Sequence, residues 1–452
     1  MKIKRFLALF LLLTLLMAIG AMPTAYAVSD PDIQAKAALL VDAETGAIAY
    51  AKNEHQELYP ASLTKVMTAL LVLNAIDAGK LDLKTELTAT ATALSHMDPG
   101  GSTANIKVGE VMSVESLLYC MLVVSANEAC DVLAEAVAGS VEDFVTLMNE
   151  KAAELGCVNT HFANPNGLHD PQHYTSAWDL YLITKAAMEY PIFMTICDTA
   201  DITIPATNMS EGRRLITTNH LLSNWRVIGY RNKDAHGIKT GSTEAAGHCL
   251  ISSAAKGELH FVSVIMGADR VEENGVGNIR SFSETTRMFQ YGFENFHYQN
   301  ILEEKEIIQE VPVTLSKTDY VTVHPANDLN VLCPKDLNTE DLQYVVTLTD
   351  DSVQAPVQAG QKLGELTLQH DGIVYGTVNL VASNDVEADR KMVLLNDIQQ
   401  LFHKTVVRVI LVVLIVLALL LVLFFLATGS RRRRYGRGSA RSYRSNYRGR
   451  RR

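Results

Sequence analysis

The chain has 452 residues and a formal net charge of −10, with 48% hydrophobic and 20% charged residues. That balance excludes a mostly disordered chain, and the length allows two or three domains. The charge is uneven: the last 22 residues hold eleven Arg and no acid, leaving 29 Lys and Arg against 50 Asp and Glu before them. A body this acidic argues against nucleic-acid binding, which needs a basic surface to displace counterions.

Lys2, Lys4 and Arg5 precede the apolar run Phe6–Gly20, and Ala25-Tyr26-Ala27 offers a small-x-small site before Val28. This is the order of a secretory signal, so residues 1–27 are expected to be cleaved on export. Ala37–Asp42 and Ala47–Ala51 then read as two strands joined at Thr45-Gly46. Leu63–Leu73 and Val114–Val124 have helical periodicity, and Leu250–Ala255 with His260–Met266 reads as a strand pair turning at Lys256-Gly257. Strands at both ends of residues 28–296, with helices between, predict an α+β domain: one sheet covered by helices.

Short Val, Thr, Leu and Tyr runs follow: Val311–Leu315, Tyr320–His324, Gln343–Leu348, Lys362–Gln369 and Ile373–Leu380. They predict a small β-rich domain over residues 297–395. Val409–Ala427 contains no charge, and nineteen helical residues span about 28 Å, so a transmembrane helix is expected over 406–427. Arg431–Arg434 come directly after it. The positive-inside rule then places the tail, 428–452, in the cytoplasm and the body outside. That Arg-rich, low-complexity tail suits the anionic headgroups of the inner leaflet. The six cysteines form no Cys-x-x-Cys pair and read as small buried hydrophobes.

Three short motifs carry chemistry. Ser62-Leu63-Thr64-Lys65 heads a helical run, where the positive dipole end favours an oxyanion and Lys65 returns to the serine's face. A neutral lysine there can take the serine proton. Ser125-Ala126-Asn127 closes the second helical run; its hydroxyl can relay a proton and its amide can orient a carbonyl. Lys239-Thr240-Gly241 lies just before the strand-like Gly247–Ala255 and offers a cation, a hydroxyl and a backbone open to close approach. Each alone is weak, since capping and turn chemistry supply the same residues.

In this order, the three motifs resemble those of serine-type penicillin-binding proteins. The flanks Tyr59-Pro-Ala-Ser-Leu-Thr-Lys-Val-Met-Thr68, Asn164-Pro-Asn-Gly-Leu168, His173-Tyr-Thr-Ser-Ala177 and Gly237-Ile-Lys-Thr-Gly-Ser-Thr-Glu-Ala-Ala-Gly247 sharpen the match. They resemble D-alanyl-D-alanine carboxypeptidases of the low-molecular-mass class, peptidase family S11, over about residues 30–390. The resemblance implies a β-lactamase/transpeptidase-like catalytic domain, peptidoglycan stem peptides as substrate, β-lactams as covalent inhibitors, and no cofactor.

It assigns Ser62 as nucleophile, Lys65 as general base, and Ser125 and Asn127 as the second motif. Lys239, Thr240 and Gly241 line the pocket, and the N–H groups of Ser62 and Ser242 form the oxyanion hole. Arg280 matches a family arginine for the terminal carboxylate. Attachment in this family is often by an amphipathic C-terminal helix, whereas this chain adds a full span and an Arg tail. A β-lactamase or a crosslink endopeptidase would use the same motifs, and a non-catalytic wall-binding receptor is a further alternative. His161, His169 and His173 beside Asp170 read as loop packing near the substrate; Pro171 breaks the helix that a zinc pair would need.

Overall fold

The computed structural model describes residues 30–434 apart from 97–99, 274–275 and 371. The signal segment, 1–27, and the tail beyond Arg434 therefore lie outside the described residues. The chain divides into two units.

The first unit is built on a five-stranded antiparallel sheet. Its strands are β1 (Ala37–Asp42), β2 (Ile48–Lys52), β3 (Ala235–Thr243), β4 (Gly247–Lys256) and β5 (Leu259–Ala268), in the order β2-β1-β5-β4-β3. Strand β1 is buried at every position because both faces are covered. Ala37, Leu39 and Val41 face one core and Ala38 and Leu40 the other. The first core belongs to α1 (Lys65–Asp77), α2 (Val114–Val123), α3 (Asn127–Ala138), α4 (Val141–Glu154), α5 (Ala177–Met188) and α6 (Pro191–Cys197). The second is closed by α7 (Arg280–Asn295) through Phe282, Met288 and Phe289.

Helix α1 is buried continuously from Lys65 to Leu73, the signature of a helix inside a core. Ser113, Ser140 and Ser176 cap α2, α4 and α5, each accepting a bond from the backbone N–H three residues on. The predicted hairpin and strand pair appear with shifted ends. Lys239-Thr240-Gly241 departs from expectation: it lies inside β3, paired with Ile251, Leu250 and Cys249 of β4. Its lysine and glycines hide a strand whose existence depends on its neighbour. Two-stranded ribbons such as Asp201–Ile204 with Arg213–Ile216 carry too few residues to announce themselves.

In the second unit, Gln309–Thr314 and Tyr320–Pro325 form a hairpin with alternating burial, and Val353–Gln354 adds in parallel to its first strand. Val311, Val321, Val323, Leu366 and Leu380 fill its core. Asp389 caps helix α8 (Arg390–His403), accepting bonds from the N–H groups of Lys391 and Met392. Helix α9 (Thr405–Arg434) follows, and its Thr405–Leu426 stretch is long and apolar enough to cross a membrane.

Candidate active site

The first motif folds as a short 3-10 turn, Ala61–Thr64, ahead of α1. Ser62 is half-buried, whereas Leu63, Thr64 and Lys65 are buried completely. Ala61 is left-handed at φ +49, an uncommon state for a residue with a Cβ. A relay holds it there. The N–H of Ala163 donates to His173 Nδ1 at 3.1 Å, which fixes the proton on Nε2. Nε2 then bonds Thr64 Oγ1 at 2.8 Å, and that hydroxyl donates to Ala61 O at 2.8 Å. Burial depresses His173 to about 4, which keeps the ring neutral.

Lys65 Nζ lies 2.9 Å from Ser62 Oγ, 2.8 Å from Asn127 Oδ1 and 2.5 Å from the Asn166 carbonyl oxygen. Two of these three partners can only accept. A neutral amine has two N–H donors and one lone pair, so it satisfies both carbonyl oxygens and leaves the lone pair for the serine proton. Burial pushes the Lys65 pKa down, against the opposing influence of Cys130, Asp131 and Glu128. The arrangement suits a base.

Ser125 sits in the break between α2 and α3 at φ +67, left-handed like Ala61 and two residues before Asn127. Its hydroxyl takes no hydrogen bond among the described residues. Asn127 opens α3, with its N–H on the Ser102 carbonyl at 2.9 Å.

Lys239 is 1% exposed and donates to the Thr240 carbonyl oxygen at 2.9 Å. Burial, with Lys65 nearby, lowers it to about 7. Thr240 Oγ1 lies 2.6 Å from Thr218 Oγ1. At Gly241 an added Cβ would stand 2.8 Å from Pro60 O and 3.1 Å from Ser62 N, so glycine lets β3 lie directly against the Ala61–Thr64 turn. Ser242, one residue on, is exposed.

Ser62, Lys65 and Asn127 are thus directly bonded, and Gly241 brings Lys239, Thr240 and Ser242 alongside. Arg280 lies at the head of α7, its N–H on Asp269 O at 3.0 Å.

Two residues were given no role by the sequence. Asn166 contributes a backbone carbonyl, a group every residue has; only the turn pattern Asn164-Pro165-Asn166-Gly167 hints at it. Gly167 is left-handed, and a Cβ there would fall 1.9 Å from Ala61 O, so that loop packs on the same turn. Asp131, buried on α3, accepts from Asn166 Nδ2 at 3.3 Å, and burial lifts it to about 7. The six cysteines are all free, Cys157 half-buried and the others buried.

Comparison with known proteins gives a consistent result. The family profile described as D-alanyl-D-alanine carboxypeptidase matches residues 24–270, and that of the penicillin-binding protein 5 C-terminal domain matches 296–388. The chain is 31% identical to the D-alanyl-D-alanine carboxypeptidase DacF of Bacillus subtilis, covering 78% of this chain and 86% of that one. It is 31% identical to DacA of Haemophilus influenzae, over 82% and 89% of the two chains. The crystal structure of penicillin-binding protein 5 from Haemophilus influenzae superposes with a TM-score of 0.66 at 31% identity, covering 80% of this chain and all of that one.

Proposed function

The chain belongs to the peptidase S11 family of D-alanyl-D-alanine carboxypeptidases, and from that premise we propose how its residues divide the work. Lys65 Nζ takes the proton of Ser62 Oγ, and the oxygen attacks the carbonyl carbon of the penultimate D-alanine. The resulting oxyanion is held by the N–H groups of Ser62 and Ser242. Collapse breaks the peptide bond: Ser125 Oγ passes its proton to the departing amine of D-alanine and takes one from protonated Lys65, which returns to the neutral state. Asn127 orients the acyl carbonyl. Water, deprotonated by the same lysine, then frees the shortened stem. Lys239 and Thr240, with Arg280, receive the terminal carboxylate, and the arriving anion restores the charge that burial withdraws from Lys239.

The observation that carries this reading is the position of Lys65 Nζ, 2.9 Å from Ser62 Oγ on a fully buried side chain, where burial pushes the lysine pKa down and so favours the neutral amine. Mass spectrometry after incubation with penicillin tests it. A single adduct on Ser62 is expected, and Ser62→Ala should abolish both labelling and D-alanine release. Labelling that survives in the variant would remove Ser62 from the role.

The placement belongs to the same proposal. Residues 1–27 direct export, 28–296 form the catalytic domain and 297–395 the β-rich domain, both outside the cell. Residues 406–427 span the membrane once, with 428–452 on the inner leaflet. The apolar helix Thr405–Leu426 supports this, as do the basic residues behind it. Trimming stems from outside the membrane makes the enzyme a modulator of wall crosslinking and cell shape.

A further inference from the structure

The ribbon Asp201–Ile204 with Arg213–Ile216 carries an arrangement that the chemistry above does not use. Arg214 Nε donates to Asp201 at 2.8 Å to Oδ1 and 2.9 Å to Oδ2, and its terminal nitrogen bonds Oδ2 as well. The guanidinium fixed in this way stands 4.4 Å from the ring centroid of Trp225. The loop bearing that ring is tied down twice more. The N–H of Trp225 donates to Ser223 Oγ at 3.2 Å, and Arg226 donates to the Ile216 carbonyl oxygen at 3.0 Å. One face of the indole is covered and held, yet Trp225 remains 64% exposed. A large aromatic fixed but left open is preorganised for a partner.

The loop is also close to the substrate pocket. Ile216 is two residues from Thr218, a separation of at most about 7 Å, and Thr218 bonds Thr240 of β3. A peptidoglycan stem is attached to an amino sugar at its head. Four residues and a lactyl ether separate that sugar from the scissile carbonyl, and four extended residues alone reach about 14 Å. The sugar therefore falls within the range of the loop while the peptide occupies the pocket. Sugar C–H bonds, polarised by neighbouring oxygens, meet the negative face of an indole favourably. Because the sugar is tethered to a bound peptide, its effective concentration is high and one stacking contact suffices.

We propose that Trp225 is a stacking platform for the glycan from which the stem hangs, so that the enzyme binds its substrate at both ends. The inference rests on the carboxypeptidase reading for its substrate, and two measurements separate their failures. The chain has two tryptophans, and Trp178 packs against Tyr181 at 5.5 Å between ring centroids. The full chain in detergent micelles with Trp178→Phe and Ser62→Ala therefore reports Trp225 emission without consuming substrate. A disaccharide-pentapeptide should change that emission saturably, while the same pentapeptide without sugar should not.

In turnover by the chain with Ser62 intact, the sugar-bearing substrate should show a kcat/KM about tenfold higher, mainly through KM. Trp225→Ala should remove that preference, leaving the free pentapeptide within about twofold of wild type. An emission titration that is flat, or identical for both peptides, overturns the platform, as does a preference that survives in Trp225→Ala. A change produced by phosphatidylglycerol vesicles but not by the disaccharide-pentapeptide overturns it in favour of a lipid contact. Absence of turnover on either substrate would sink the carboxypeptidase reading, and the emission titration would still decide the stacking.

Discussion

Two side chains buried near Ser62 and Lys65, His173 and Asp131, are shifted in opposite directions. His173 is depressed to about 4 by burial, so the unfolded chain binds its proton first, and stability falls as pH drops from about 6.5 to 4. At about 1.4 kcal/mol per unit this is about 3 kcal/mol. Asp131 is raised to about 7, so the folded chain binds its proton first, and stability falls as pH rises from about 4 to 7, by about 4 kcal/mol. The two nearly offset each other between pH 4 and 6.5. Unfolding measured across that range should therefore split in the variants. Asp131→Asn should become less stable in acid relative to wild type and His173→Gln more stable, and parallel curves would refute the assignment. Lys239 has a different signature. Charge-assisted hydrogen bonds of about 1.5–3 kcal/mol make the terminal carboxylate worth about tenfold or more in kcat/KM over a terminal amide. Lys239→Ala should slow the acid strongly and narrow that gap, whereas a loosened fold would slow both substrates alike.

At the scale of elements, the Ala61–Thr64 turn is clamped between the Asn164–Leu168 loop and β3, and both contacts depend on a missing Cβ. Gly241→Ala would push β3 away from the backbone at Pro60 and Ser62, which cannot swing aside as a side chain can. A displacement near 1 Å at reacting groups costs about a hundredfold in rate. Penicillin acylation should fall by about that factor with the unfolding temperature shifted by only a few degrees. A rate within threefold of wild type would show that the clamp is slack. These contacts also mark the limit of what the chain reveals before folding. Ser62, Lys65 and Asn127 were legible because motifs preserve side chains, and it is through side chains that these three meet. Asn166 stood in a quoted flank but drew no role, because the group that meets Lys65 is a carbonyl that every residue has. Asp131 was silent because an acid on a helix reads as solvated until the helix is seen to be buried. β1 and α1 were legible from apolar runs, whereas β3 takes its conformation from pairing with β4.

For the molecule as a whole, the proposal that one apolar helix separates an acidic exterior from an arginine tail predicts a one-sided sensitivity. Protease added to intact cells should remove residues 28–405 and spare an epitope placed after Arg452. Loss of that epitope would reverse the orientation.

The strand bearing Lys239 is the last in its sheet, with β4 on one side only. An unpaired strand margin is ordinarily a hazard, because any extended chain can zip onto it. On the proposed reading the substrate would use that margin: a stem peptide laid along β3 would be read first as backbone, through its amide spacing, and only then as side chains. Selectivity of this kind is indifferent to much of the stem's composition but intolerant of anything that removes an amide hydrogen. N-methylation at the penultimate residue, which leaves every side chain and the terminal carboxylate in place, should therefore be enough to turn a good substrate into a bystander.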